Sequence, residues 1–140
     1  MANMYPSKKA GGGGSGTRTT LWTNSTPTSA QAFKTITLSQ SIANFSYIVF
    51  RYAVDTTNQT DEYCSEVIIS KENLRKCIYS TYPSLLVELG GVTTSTYYTR
   101  HIASNSVNWS KLVVDDAFKV NGTGYDDTKM ILLSVEGLNF

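Results

Sequence analysis

Residue types able to do chemistry are sparse in this chain. It has one histidine, His101, so any Ser-His-Asp or Cys-His relay has to use it. That histidine sits in the strand-like run Tyr97-Tyr98-Thr99-Arg100-His101-Ile102, and no G-x-S-x-G elbow or comparable nucleophile setting accompanies it. The carboxylates include two adjacent pairs, Asp115-Asp116 and Asp126-Asp127. A glycosidase needs two carboxyls facing each other about 5–9.5 Å apart. Neighbours on a strand point to opposite faces, so only one member of each pair, meeting across a hairpin, could form such a couple. Solvated turn or edge positions are the plainer expectation. Calcium at Asp126-Asp127 would want clustered oxygens, but no D-x-D-x-D-G loop is present. Cys64 and Cys77 are expected to be reduced, partly buried thiols, with a cross-strand disulfide as the alternative. Two thiols and one imidazole are too few for a zinc site. Gly11 to Gly14, Ser15 and Gly16 lack the Gly-Lys-Ser/Thr ending of a phosphate loop. The sequence thus predicts no catalytic residues, no metal and no cofactor.

What remains is aromatic and amide chemistry. Trp22, Trp109 and nine tyrosines offer rings on which sugars can stack. Trp22, following Leu21 in a short strand, is assigned to the core. Tyr97, Tyr98, Asn105, Asn108 and Trp109 are the candidate ligand contacts. Sequons occur at Asn24, Asn44, Asn58, Asn108 and Asn121, and the Ser/Thr richness accounts for most of them.

These residues must be positioned by strands. Charged residues make up only 16% of the chain, against a usual share of about 25%, and Ser and Thr fill roughly a quarter of it. Thr, Tyr, Val and Ile suit pleated, half-buried surfaces. A net charge of +1 argues against a nucleic-acid binder, which carries a basic excess on one face. No run reaches the 18 apolar residues of a membrane span. The N-terminus lacks the apolar core of a secretory signal, so synthesis and folding in a cytoplasm are expected. Strands are predicted at Thr17 to Thr23, Phe33 to Leu38, Asn44 to Val54, Tyr63 to Ser70, Ser84 to Leu89 (closed by Gly90-Gly91) and Thr93 to Ala103. One or two more cover Val107 to Val120, and a last one runs from Lys129 toward the C-terminus. Near-continuous apolarity from Phe45 to Val54 reads as a central strand with both faces covered. Lys71 to Lys76 is a loop or one helical turn, and Asn121 to Gly124 is a tight-turn signal. With no sustained helical period, the fold class is an all-β antiparallel sandwich, jelly-roll-like, of about eight strands. Two regions result: a flexible Gly-rich arm over residues 1–16, with Tyr5, Pro6, Lys8, Lys9, Gly11, Gly12, Gly13 and Gly14 as attachment residues, and a sandwich over residues 17–140.

The stretch Thr20-Leu21-Trp22-Thr23-Asn24-Ser25-Thr26-Pro27-Thr28-Ser29-Ala30, then Phe33-Lys34-Thr35-Ile36-Thr37-Leu38-Ser39, then Phe45-Ser46-Tyr47-Ile48-Val49-Phe50-Arg51-Tyr52, resembles a small domain of tailed-phage and prophage fibre proteins. The ending Met130-Ile131-Leu132-Leu133-Ser134-Val135-Glu136-Gly137-Leu138 is similar to that domain's closing strand. The likeness covers about residues 17–140 and is thin between Asp55 and Asp116. It implies a β-sandwich knob on a virion, assembled in the host cytoplasm, often a homotrimer, and used to recognise a host surface. The short arm departs from the long shaft of tail-fibre relatives. A head fibre attached to other virion structural proteins is therefore expected beside a tail fibre, with host-surface polysaccharide as ligand. The alternative is a capsid decoration protein with no ligand.

Overall fold

The computed structural model describes residues 16–79, 84–105 and 107–140. The predicted attachment residues Tyr5 to Gly14 lie outside the described residues. The strands are β1 Thr17–Thr23, β2 Lys34–Thr37, β3 Tyr47–Asp55, β4 Cys64–Ser70, β5 Val87–Thr93, β6 Thr96–Ser104, β7 Lys111–Lys119 and β8 Lys129–Asn139. A short helix, α1 Lys71–Lys76, follows β4. The strands form two four-stranded sheets, β1-β8-β3-β4 and β2-β7-β6-β5, with every neighbouring pair antiparallel. The all-β sandwich expected from the composition is the fold observed. The chain changes sheet between β1 and β2, β2 and β3, β4 and β5, and β7 and β8, while β3-β4 is a hairpin and β5-β6-β7 a meander within one sheet.

The core lies between the sheets. Ile48 and Phe50 of β3, Leu132 and Val135 of β8, Leu89 of β5, Ile102 of β6, and Leu112 and Val114 of β7 belong to one buried cluster. Leu132 and Val135 are three apart yet face the same side because the β3-β8 register shifts between Arg51 and Tyr52, a bulge that absorbs one residue. Val67 and Ile69 of β4 also pack on the core, which resolves that strand's register. β3 is central, between β8 and β4, as its apolar run predicts. Its outward Val49 is fully buried too. On this outward face the Arg18 guanidinium reaches Glu136 on β8 at 3.0 Å and Glu66 on β4 at 2.8 Å, spanning β3 between them. Trp22 packs against the core with Lys34 Nζ 5.9 Å from its ring centre.

Three sequence expectations are sharpened or corrected. Lys71 to Lys76 is helical rather than a loop, because the Ser70 hydroxyl caps it by accepting from the Asn73 N–H and Leu74 is buried beneath it. The strand expected at Ser84 to Leu89 instead begins at Val87 and runs through both glycines to Thr93. A Cβ on Gly90 would lie 2.9 Å from the Tyr97 hydroxyl, and one on Gly91 3.0 Å from Met130 Cε. These glycines make room for neighbours instead of ending the strand. Val107 to Ser110 lies before β7, which starts at Lys111. The reason is that Asn105 Oδ1 accepts from the Val107 and Asn108 N–H groups and Asn108 Oδ1 from Ser110 N–H, which turns the backbone before the ladder begins.

Candidate functional site

The carboxylate pairs do meet, through a bulge. Arg100 pairs with Ala117 and Ile102 with Val114, so Asp115 and Asp116 together oppose His101. The bulge turns Asp116 toward Asp127. Asp116 Oδ1 accepts from Phe33 N–H at 2.9 Å and Asp127 Oδ1 from Ala117 N–H at 3.1 Å. Burial pushes the Asp127 carboxyl up from its ordinary value; the Ala117 N–H opposes this, and the Asp116 carboxylate, which accepts a hydrogen bond from protonated Asp127 and repels its charged form, raises it further. Two carboxyls in direct contact leave no space between them for a sugar ring and a water, the spacing a glycosidase uses. His101 faces away from the core, with Nε2 3.7 Å from Glu88 Oε2 on the neighbouring strand.

Beneath this pair lies a residue that strand patterning does not single out. Arg100 is fully buried. Its Nε donates to Met130 O at 2.6 Å, its Nη1 to Gln31 O at 2.7 Å and Asp115 O at 2.6 Å, and its Nη2 to Lys129 O at 2.9 Å and Asp127 O at 3.3 Å. A guanidinium has five N–H groups, and each finds a backbone carbonyl. Burial lowers its pKa to about 10, against the pull of Asp127, Asp116 and Asp115, so it stays charged at neutral pH. The cation clasps the bulge, the loop carrying Gln31 and the start of β8. Its role is architectural.

The predicted ligand contacts fall at opposite ends of the sandwich. Tyr97 opens β6, while Asn105, Asn108 and Trp109 follow its far end, about 27 Å away at the strand rise. Tyr98 alternates into the interior and is 7% exposed, so its ring is closed to a ligand. Trp109 packs on the core, and Arg75 covers its ring at 4.5 Å. The Oδ1 atoms of Asn105 and Asn108 already brace their own loop. Tyr97 alone keeps an exposed ring.

A concave feature among the described residues lies elsewhere, where the edge strands β4 and β5 flank the mouth of the sandwich. Two adjoining recesses of about 310 and 320 Å³ share Val54, Tyr63 and Val92. The first adds Glu62, Cys64, Ser65 and the bare backbone of Gly90-Gly91. Its floor is Tyr52, whose hydroxyl donates to Gly90 O at 2.8 Å and ties one sheet to the other. The second adds Asp55, Asn58, Thr94 and Lys129. A single 3-10 turn, Asp61–Tyr63, presents both Glu62 and the Tyr63 ring, which is 46% exposed. Asp55 Oδ1 accepts from Asn58 N–H at 2.7 Å and Thr57 N–H at 2.9 Å, which holds the Asp55–Asn58 wall in place. Burial pushes both thiols, Cys64 and Cys77, above their ordinary pKa, and neither is bonded to another cysteine. Sequence reading passed over Tyr63 and Glu62 because an aromatic at the start of a strand looks like core. The signal available was their place after the polar turn Asp55 to Asp61. Comparison of the chain with protein-family models and with curated proteins finds no match.

Proposed function

We propose that this chain is a non-enzymatic virion appendage. Its sandwich takes saccharide units of a host-surface polymer in the cleft between β4 and β5. The observation that carries the ligand class is the exposed Tyr63 ring at the shared mouth of the two recesses, flanked by the carboxylate Glu62 and the amide Asn58. A sugar has an apolar face that suits a ring and hydroxyls that need polar partners, since an unpaired hydroxyl is costly to desolvate. Recesses of this size are at the lower limit for ligand pockets, about 300 Å³, so each contact is weak and display in many copies compensates. The virion setting rests on the sequence motifs that resemble fibre knobs.

The test is equilibrium binding of the full chain to polysaccharides from candidate host surfaces, compared with Tyr63→Ala. Saturable binding that weakens about tenfold in the variant, with unchanged circular dichroism, is the expected result; tenfold corresponds to about 1.4 kcal/mol. Silence across the panel, with particles lacking the protein adsorbing normally but bursting on heating, overturns it in favour of capsid decoration.

A further inference from the structure

Beyond β7 the chain forms a small loop that takes no part in the cleft. Lys119 N–H donates to Gly124 O at 3.1 Å, and Phe118 and Tyr125 pair antiparallel below it. These contacts close the loop, and Gly124 makes the reversal at a φ of 92°. Residues 121–125 are all exposed, and none lines either recess. Inside the closed loop lies Asn121-Gly122, the one Asn-Gly step in the sequence. Three features meet there. The Asn121 side-chain amide makes no hydrogen bond among the described residues, and neither does the Gly122 N–H. A Cβ at Gly122 would meet nothing nearer than 3.9 Å, so the Gly122 nitrogen is uncrowded. The other described asparagines are restrained. Asn24, Asn44, Asn58, Asn105, Asn108 and Asn139 each hold a hydrogen bond through the side chain, and Asn73 is held in the capped turn of α1.

We propose that Asn121 is a site of spontaneous modification, closing onto the Gly122 nitrogen as a cyclic imide that water opens to aspartate and isoaspartate. The deprotonated Gly122 nitrogen attacks Asn121 Cγ. The N–Cγ bond forms, the Cγ–Nδ2 bond breaks, and Nδ2 takes up the proton and leaves as ammonia. Water then opens the imide. Attack at Cγ gives aspartate, and attack at the Asn121 backbone carbonyl gives isoaspartate, whose main chain runs through Cγ. Water is the sole co-reactant and no electrons are exchanged. Glycine is the partner this step needs, because it has no side chain to shield its nitrogen and its permissive φ and ψ let that nitrogen swing toward Cγ. A braced asparagine must first open locally, which slows it by the small population of the open state; Asn121 has no such bond to break. Either product lowers the net charge by one from +1. Isoaspartate also adds one atom to the main chain inside the loop that Lys119 and Gly124 close.

Incubation of the full chain in mildly alkaline buffer, followed by isoelectric focusing and by peptide mapping with mass spectrometry, tests this. The expected result is an acidic form that accumulates with time, carrying both aspartate and isoaspartate at position 121. The folded chain should react there as fast as the urea-unfolded chain. Gly122→Ala, with unchanged circular dichroism, should lose most of the acidic form, and Asn121→Ser should lose it entirely. An Asn121 that stays intact, or reacts only after unfolding, overturns the proposal. So does an acidic form that survives in Asn121→Ser, or aspartate without isoaspartate, which would mean direct hydrolysis of the side chain. Tyr63→Ala should age like the wild type, so failure of the saccharide reading leaves this one standing.

Discussion

Asp55 shows how one side chain shapes the candidate site. Its carboxylate receives Asn58 and Thr57 N–H groups, the Asn58 side-chain amide at 3.0 Å and the Thr57 hydroxyl at 3.1 Å. Burial by itself pushes this carboxyl up, but the hydrogen bonds from Asn58 and Thr57 outweigh it and hold it below its ordinary 3.8. The folded pKa is therefore below the unfolded one. The stabilisation is present above the unfolded value and is lost as pH falls through the folded value. Asp55→Asn is expected to cost about 1–3 kcal/mol at pH 7, with the gap to wild type narrowing once pH drops below about 4. Urea denaturation of both proteins at pH 7 and pH 3 measures this. An equal gap at the two pH values contradicts the charge-assisted account. The sequence marks Asp55 to Asp61 only as a polar turn. Which of its carboxylates is buried depends on where β3 ends, and that is decided by pairing with β8.

At the scale of elements, the closing strand explains its own motif. In Glu136-Gly137-Leu138, Glu136 faces out to Arg18, and Gly137 faces in, where a Cβ would come within 2.4 Å of the Phe45 ring. Leu138 is almost fully buried. Gly137 thus lets an aromatic ring lie directly on the backbone of β8. Gly137→Ala forces that ring or the strand to shift and is expected to destabilise by about 1–3 kcal/mol, as overpacking does. Gly122→Ala is the control, since its Cβ would have neighbours no closer than 3.9 Å. Equal stability of the two variants by chemical denaturation would show that Phe45 does not need the space. The strand itself is legible from hydrophobic patterning, and so is β3. The run of β5 through Gly90-Gly91 is not, because glycine reads as a stop signal unless the Tyr97 and Met130 side chains that need the space are known.

For the whole molecule, the two sheets are joined by burial and by polar ties that include Tyr52 to Gly90 O and the Arg100 clasp. Arg100 also holds the bulge and the chain before β8, so its loss should weaken the whole sandwich and not one edge. Arg100→Met removes a hydrogen bond from five backbone carbonyls, of which Asp127 O keeps the Gln31 N–H, and is expected to cost about 3–5 kcal/mol. Arg100→Lys, with at most three donors, should fall between that variant and the wild type. In each case far-UV circular dichroism and tryptophan fluorescence should report one coincident transition. Edge unfolding seen by one probe alone would show that the clasp is local.

Most strand positions, the central place of β3 and the all-β class follow from local patterning, because alternation and β-branched content are properties of contiguous residues; the bounds of β5 and the start of β7 do not. The scarcity of chemical groups is likewise written in the composition. What only tertiary structure decided is who meets whom. The bulge that turns Asp116 onto Asp127, the burial of Arg100 among carbonyls, Arg75 lying over Trp109, and the cleft that joins Tyr63 to Gly90 all bring together residues distant in the chain. Such contacts depend on register, on sheet-to-sheet packing and on one-residue slips in pairing, none of which a linear pattern encodes.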